Sequence, residues 1–379
     1  MSRRDLLIVA GEASGDLHGA RMLHELRLLV PDLRTFGLGT DELAGAGQRQ
    51  VADVREISVV GIAEAAGVLV RAKEILDRVV AECERTRPAA AVLIDFPEFN
   101  LRLARRLKWL GIPVIYYISP QIWAWRRGRV RAISEVVDRM LVLFEFEVGF
   151  YRRFGVPVTW VGHPLVDEVP VLPVAWDQEP KHQPLGRLRL ALLPGSRRSE
   201  VAALLPRMVE AVAHLKKHVP VSARLIRART VDGGFLRELL GDSGIEIVDG
   251  NRFDAIADSH LAFCASGTAT LEVGLLGTPL AVLYRLNSWS HFLARMLVRL
   301  PHFSLVNLVL GRAAVPELLQ HDTEPERIAE IAWSLVSSGD RLRKMRRSLA
   351  DLRPALGAHG ASARAARAIA PYLGAELAA

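Results

Sequence analysis

Short apolar runs recur along the chain, and each ends in a polar turn before a longer stretch of helical period. Leu6–Ala10 precedes "LHGARMLHELRLLV", and "AAAVLIDF" (89–96) precedes "NLRLARRLKWLG". "PVIYYIS" (113–119) precedes a basic segment, and "RMLVLF" (139–144) precedes "EFEVGFYRRFG". Runs that stay apolar rather than alternating suit strands buried on both faces, so the pattern predicts a parallel sheet between layers of helices. The series closes at "WVGHPLVDEVP" and gives way to an aperiodic stretch at 171–186 that reads as a linker. It then restarts: "LRLALLPGSR", "SARLIRA", "IEIVDG", "LAFCASGT" and "PLAVLYR" supply strands, and "EVAALLPRMVEAVAHLKKH" supplies a helix. The expected fold is α/β with two similar domains, 1–170 and 187–349. A helical segment at about 350–379 is free to pack back on the first. Two such halves place a ligand cleft between them, at the carboxyl ends of the strands.

Composition narrows the partners. The formal charge of +7 points to an anionic one, whether nucleic acid, nucleotide or acidic membrane. No RNP, helix-turn-helix or zinc signature accompanies it, so nucleic acid is not expected. The two cysteines, Cys83 and Cys264, lie far apart and belong to no ligand cluster, which suits a reducing compartment. No run approaches the roughly 18 apolar residues of a membrane span, and the run at Leu6–Ala10 is too short for a signal peptide.

The candidate chemistry sits in the turns after strands. "GEASGD" (11–16) places Glu12 in a glycine-bracketed strand-to-helix turn, with glycines at 11, 15 and 19. That spacing is not GxGxxG, no GK[ST] occurs, and GxSxG is absent, so the dinucleotide, P-loop and nucleophile-elbow fingerprints all fail. The bland alternative, an ordinary βα turn, stands equal on this motif alone. "DFPEFN" (95–100) sets Asp95 at a strand end that Pro97 stops. There it is either a general base or a helix cap, and Asn100 is an alternative cap. "LLPGSRRSE" (192–200) offers Gly195, Ser196, Arg197 and Arg198 before a helix, a set suited to a diphosphate. "ASGTATLE" (265–272) offers Ser266, Gly267 and Thr268 for close phosphate approach and Glu272 for ribose hydroxyls. No DxD pair occurs, so no metal and no cofactor is expected, and phosphate charge falls to arginine and helix N-termini.

Two segments read as interfacial or core helices. One places Val68, Ala72, Ile75, Leu76 and Val79 on one face, and the other is "WSHFLARMLVRLPHF" (289–303). "WAWRRGRVRA" (123–132) interleaves tryptophans with arginines and suits nucleic acid or lipid phosphates equally.

Taken together, "GEASGD", "DFPEFN", "SPQIWAWRRGRV", "GHPL", "LLPGSR", "ASGTATLE" and "LVNLVLGR…VPELLQ" resemble the lipid-A-disaccharide synthase family, in order across nearly the whole chain. The resemblance implies a glycosyltransferase-B-type fold of two facing Rossmann-like domains. It implies an inverting transfer from UDP-2,3-diacylglucosamine to 2,3-diacylglucosamine 1-phosphate, at the inner leaflet of the cytoplasmic membrane. By position, Asp95 becomes the base toward the acceptor's 6-hydroxyl, with Glu12 a second carboxylate. Arg197 neutralises the departing diphosphate. Glu272 and Asn307 contact the nucleotide, with Gly195, Ser196, Ser266, Gly267, Thr268, Glu317 and Gln320 around it. Ser14, Gly15, Val68, Leu69, Trp123, Arg126 and Arg127 fall to the acceptor and membrane side. A homodimer, with or without exchange of the C-terminal helix, is left open. The competing readings are a UDP-N-acetylglucosamine 2-epimerase, the peptidoglycan glycosyltransferase, and a non-catalytic basic protein of the membrane surface.

Overall fold

A computed structural model describes residues 4–58, 65–120, 129–173, 186–285 and 302–375. The chain divides into two compact units, Met1–Pro164 with Gly357–Ala379, and Leu165–Leu356. The stretch expected to be a linker falls largely outside the described residues, as does most of 289–303.

Among the described residues the first unit holds seven strands: β1 (Asp5–Ala10), β2 (Arg34–Gly39), β3 (Arg49–Asp53), β4 (Ala90–Ile94), β5 (Val114–Tyr117), β6 (Arg139–Val142) and β7 (Val158–Trp160). All pair in parallel, in the order β3-β2-β1-β4-β5-β6-β7. The continuous apolar runs have their cause here, since every residue of β1, β4 and β5 is buried. Leu7, Val9, Leu38, Leu93, Tyr116 and Val142 share one face with side chains from the helices Ala65–Thr86, Pro97–Trp109 and Arg129–Val136. The helix Ala13–Leu29 lies against β1 and β4, and the C-terminal helix Ala361–Ile369 packs on it.

The second unit repeats the plan with β8 (Leu188–Leu193), β9 (Val221–Ile226), β10 (Glu246–Val248), β11 (Leu261–Ala265), β12 (Leu280–Tyr284) and β13 (Glu317–Leu319). Their order, β10-β9-β8-β11-β12-β13, is again parallel throughout. In each sheet the first strand lies inside, the chain runs outward to one edge, then returns to continue on the other side. The direction of winding reverses between β1 and β4, and between β8 and β11. At such a switch point the flanking loops diverge and open a crevice at the carboxyl ends of the strands.

The interfacial reading of the helix at 68–80 is corrected in part. Ile75, Leu76 and Val79 are buried in the core of the first unit, so that stripe is packing rather than a lipid face. Among its described side chains, this helix exposes Leu69 and Val70, each 59% accessible.

Candidate functional site

The turns after β1 and β4 bring Glu12 and Asp95 to one switch point. Asp95 and Phe96 both adopt left-handed backbone, with φ of 46° and 48°. Two consecutive non-glycine residues there are strained, by an order of 1–3 kcal/mol each, and need outside support. Three contacts supply it. The Asp95 N–H donates to the Tyr117 carbonyl at 3.0 Å, the Asn100 amide donates to the Asp95 carbonyl at 2.8 Å, and the Tyr116 hydroxyl donates to that same carbonyl. Burial lifts the Tyr116 phenol well above its usual range, so it stays protonated and remains a donor.

Gly11 completes the turn. A Cβ there would sit 2.0 Å from the Phe96 ring, so only glycine lets that ring fold over the end of β1. Phe96 in turn stacks on Phe99 at 5.4 Å. With its backbone fixed, Asp95 does not cap the helix Pro97–Trp109, which begins without a side-chain cap. Asn100 does not cap it either, because its amide faces back to the strand end. The Asp95 carboxyl is pushed up to about 6, chiefly by burial and further by the negative charge of Glu12; a hydrogen bond from the Phe96 N–H opposes the rise. Glu12 itself is exposed, at the N-terminus of the helix Ala13–Leu29.

The other residues of this turn divide by role. Ser14 is exposed beside Glu12. Gly15 is buried, and a Cβ there would meet Ile94 at 3.4 Å, so with Gly19 it allows close helix-to-strand packing. Asp16 is buried and accepts from Thr40 N at 2.8 Å, Thr40 Oγ1 at 2.6 Å and Glu42 N at 3.0 Å, which fastens the helix Asp41–Gly45. Trp123, Arg126 and Arg127, and the Val68 side chain, lie outside the described residues.

In the second unit the turns after β8 and β11 form the corresponding switch point. Gly195 has φ of 116°, and a Cβ there would strike the Glu200 carboxylate at 2.7 Å. Ser196, Arg197 and Arg198 follow, all exposed, at the start of the helix Arg198–Leu215, which has no side-chain cap. The Thr230 hydroxyl anchors the loop by donating to the Ser196 carbonyl at 2.7 Å, and the Arg198 guanidinium lies 3.8 Å over the Phe235 ring. Arg197 is 75% exposed and, among the described residues, paired only with Glu200, at 3.2 Å across one turn. After β11, Gly267 has φ of 150° with open space where a Cβ would stand, and the helix Thr268–Leu275 starts without a side-chain cap. Two uncapped helix starts and an exposed guanidinium make an edge suited to phosphate.

Glu272 sits one turn into that helix, mostly buried and paired with Arg252 at 3.2 Å. Burial raises its carboxyl and Arg252 opposes the rise. Asn307 and Glu317 share one hydrogen-bond network. The Asn307 side chain is buried and fully engaged: Oδ1 accepts from Ala314 N and Val315 N, and Nδ2 donates to the Val315 carbonyl and Glu317 Oε1. Glu317 also accepts from Ser304 N at 2.8 Å and Phe303 N at 3.2 Å. These two fasten the loop that begins the helix Leu305–Leu310; the Asn307 amide is fully engaged there, whereas the Glu317 carboxylate is only half-buried. Gln320 takes left-handed backbone at φ 53°, and Arg285 donates to its carbonyl at 3.1 Å.

Sequence reasoning missed Tyr116, Arg252 and the histidines His18 and His163. Burial holds those histidines neutral, at about 4 and about 3. Nothing local marks Tyr116, which sits inside an apolar strand; only the register of β5 beside β4 aims its hydroxyl at Asp95.

A family model described as lipid-A-disaccharide synthetase matches residues 6–370. The chain is 42% identical over 375 residues to the lipid-A-disaccharide synthase of Syntrophus aciditrophicus (strain SB), with 97% of each chain covered. It is equally similar, at 42% over 375 residues and 97% of each chain, to that of Myxococcus xanthus (strain DK1622). Among solved structures it resembles the glycosyltransferase of kitacinnamycin, with a TM-score of 0.59, 21% identity, and coverage of 98% of this chain and 100% of that one. It also resembles the UDP-GlcNAc 2-epimerase of Neisseria meningitidis, with a TM-score of 0.58, 13% identity, and coverage of 90% and 94%. Those two structures fix the fold as the glycosyltransferase-B type. One is a transferase and the other an epimerase, so fold alone does not select the chemistry.

Proposed function

The chain belongs to the lipid-A-disaccharide synthase family, and on that premise we propose that Asp95 is the base of an inverting transfer from UDP-2,3-diacylglucosamine to 2,3-diacylglucosamine 1-phosphate. Membership sets aside the epimerase, the peptidoglycan enzyme and the non-catalytic membrane protein.

Inversion requires one displacement. The acceptor's 6-hydroxyl oxygen attacks the anomeric carbon from the face opposite UDP, its proton passes to the Asp95 carboxylate, and the breaking C–O bond leaves its electron pair on the diphosphate. A base for this step must be ionised at working pH and still hold a proton well. A carboxyl at about 6 meets both conditions near neutral pH. The leaving charge falls to Arg197 and to the N–H groups starting the helices Arg198–Leu215 and Thr268–Leu275, which stabilise it more in the transition state than in the bound donor. Glu272 supplies a carboxylate for ribose hydroxyls, and Asn307 with Glu317 keeps its neighbouring loop in place.

The observation that carries this reading is the strained Asp95–Phe96 turn, held by three hydrogen bonds so that one half-buried carboxylate stands at a switch point. The direct test incubates the protein with both diacyl substrates and follows the disaccharide 1-phosphate by mass. Product with these substrates supports the reading, and turnover only with UDP-N-acetylglucosamine removes it.

Diacyl substrates reside in a bilayer, so the enzyme must work at its surface. No helix among the described residues is long and apolar enough to cross a membrane. Leu69 and Val70, with exposed Lys73 one turn on, give the apolar-plus-basic pairing that a peripheral contact uses. Leu69→Ser with Val70→Ser is expected to release the protein from anionic vesicles at fixed ionic strength. Unchanged partitioning would remove this surface from that role.

A further inference from the structure

A cavity of about 560 Å³ opens at the edge of the first unit's sheet, where β6 and β7 meet the C-terminal helix Ala361–Ile369 and the 3-10 turn Ala370–Leu373. It lies away from the switch point: β7 is three strands from β4, roughly 14 Å at ordinary strand spacing.

Three guanidiniums line it. Arg139 donates to Thr159 Oγ1 at 2.9 Å and to the Tyr372 hydroxyl at 3.4 Å. Arg364 donates to three carbonyls, of Val161 at 2.8 Å, His359 at 2.7 Å and Ala358 at 2.6 Å, which fix its plane but leave its charge uncompensated. Arg367 is exposed. No Asp or Glu lines the cavity, and among the described residues none of the three arginines has a carboxylate partner. Elsewhere the chain pairs its arginines readily: Arg49 and Arg85 share Glu82, Arg55 takes Asp41 and Asp53, and Arg224 takes Asp258.

The remaining wall is aromatic. The Trp160 indole N–H donates to the Leu143 carbonyl at 3.1 Å, which holds the ring in place, and Tyr372 faces the same space. Like charges gathered in a concave site reinforce one another and focus a positive potential. The guanidinium fork matches phosphate oxygens in pairs, and a fixed ring covers the flat or apolar body attached to them.

We propose that this cavity is a second anion site of the first unit, binding an organic phosphate through Arg139, Arg364 and Arg367 with its apolar portion against Trp160 and Tyr372. The phosphate belongs either to a membrane lipid headgroup or to a soluble ester. Both present the same chemistry to the arginines.

The test uses the full chain with UDP saturating, so that the edge carrying Arg197 is occupied. Inorganic phosphate is titrated by calorimetry. In parallel, sedimentation is measured with vesicles of phosphatidylglycerol in phosphatidylcholine and of phosphatidylcholine alone. Arg367→Glu is expected to weaken the response about tenfold, and Arg139→Gln with Arg367→Glu about a hundredfold. Arg347→Glu, an exposed residue of the second unit with the same change in net charge, should leave it near normal. A loss in the phosphate titration identifies a soluble ester, and a loss confined to anionic vesicles identifies a headgroup; either supports the site. Should Arg139→Gln lower Tm, Arg367→Glu decides alone, because Arg367 has no partner to lose among the described residues. Unchanged binding of both probes in Arg367→Glu, or an equal loss in Arg347→Glu, overturns the proposal.

Discussion

The two sheets share a strand order and differ in what they place at its reversal. In the first unit the turns after β1 and β4 carry carboxylates: Glu12 exposed, Asp95 half-buried and lifted to about 6. In the second, the turns after β8 and β11 carry glycines, hydroxyls and Arg197, with no side chain capping either helix. The backbone differs too. Asp95 and Phe96 are forced into left-handed geometry and need Tyr116 and Asn100 to hold them, whereas Gly195 and Gly267 adopt positive φ at little cost. One scaffold thus supplies the same address twice, and on the proposed reading local residues decide whether it takes up a proton or holds an anion. Fixing one carboxylate demands strain and support. Receiving a phosphate demands only open N–H groups and room.

The largest test of this division removes the proton acceptor. Asp95→Asn keeps the shape of the turn and is expected to lower transfer by at least a hundredfold, toward the 10⁴ associated with a lost general base, while UDP affinity holds. Near-normal turnover would mean that the carboxylate edge does no proton chemistry. The same variant has a stability signature. The Asp95 carboxyl rises on folding from 3.8 to about 6, so the folded chain binds this proton more tightly than the unfolded one. Its ionised form therefore weighs against folding fully above about pH 6, and not at all once pH falls below the unfolded value. Asp95→Asn should raise Tm by a few degrees at pH 7 and much less near pH 4, as measured by calorimetry.

An intermediate effect is expected at the other edge. Arg197→Ala removes a largely exposed guanidinium held, among the described residues, only by Glu200, so little packing is disturbed. Loss of a charge-assisted contact to the diphosphate should lower kcat/KM for the donor by about 10–100-fold. The pH dependence of the remaining activity should keep its form, because the titrating group lies in the other unit. A changed acid limb in this variant would blur the division between the edges.

How far these edges were legible in the sequence follows from the range of the forces involved. Unbroken apolar runs report strands buried on both faces, and the glycine and proline turns after β1, β4, β8 and β11 stood out because chain reversal is locally encoded. Asp95 and Arg197 were visible for the same reason, as polar residues where a strand must stop. Tyr116 was not, because its partner is set by strand register. The hydrogen bonds that tie Asn307 into its loop were not legible either, because a buried amide that fastens a loop has the same sequence appearance as one that binds a ligand. The stripe at Ile75, Leu76 and Val79 illustrates a further limit: helical period identifies the apolar face, but only packing says whether protein or lipid covers it. The arginine cavity depends on the C-terminal helix meeting β7, a contact across the whole length of the first unit's sequence, and no local pattern announces it.

The smallest effect distinguishes the two carboxylates. Burial is the main cause of the rise at Asp95 and the Glu12 charge adds to it, so Glu12→Gln should remove only the second part. The acid limb of kcat/KM, which for the unaltered enzyme falls below about pH 6 as Asp95 gains its proton, should then move to lower pH by less than one unit. It should not reach the ordinary aspartate value, because the burial persists. At pH 7.5 Asp95 is ionised with or without its neighbour, so turnover there should change little. If turnover instead collapses at every pH in Glu12→Gln while Asp95→Asn retains activity, the roles exchange: Glu12 takes the proton and Asp95 tunes it. The strained turn would then be built to place a charge beside the base, and the contrast between the two edges would survive with its central residue moved by one strand.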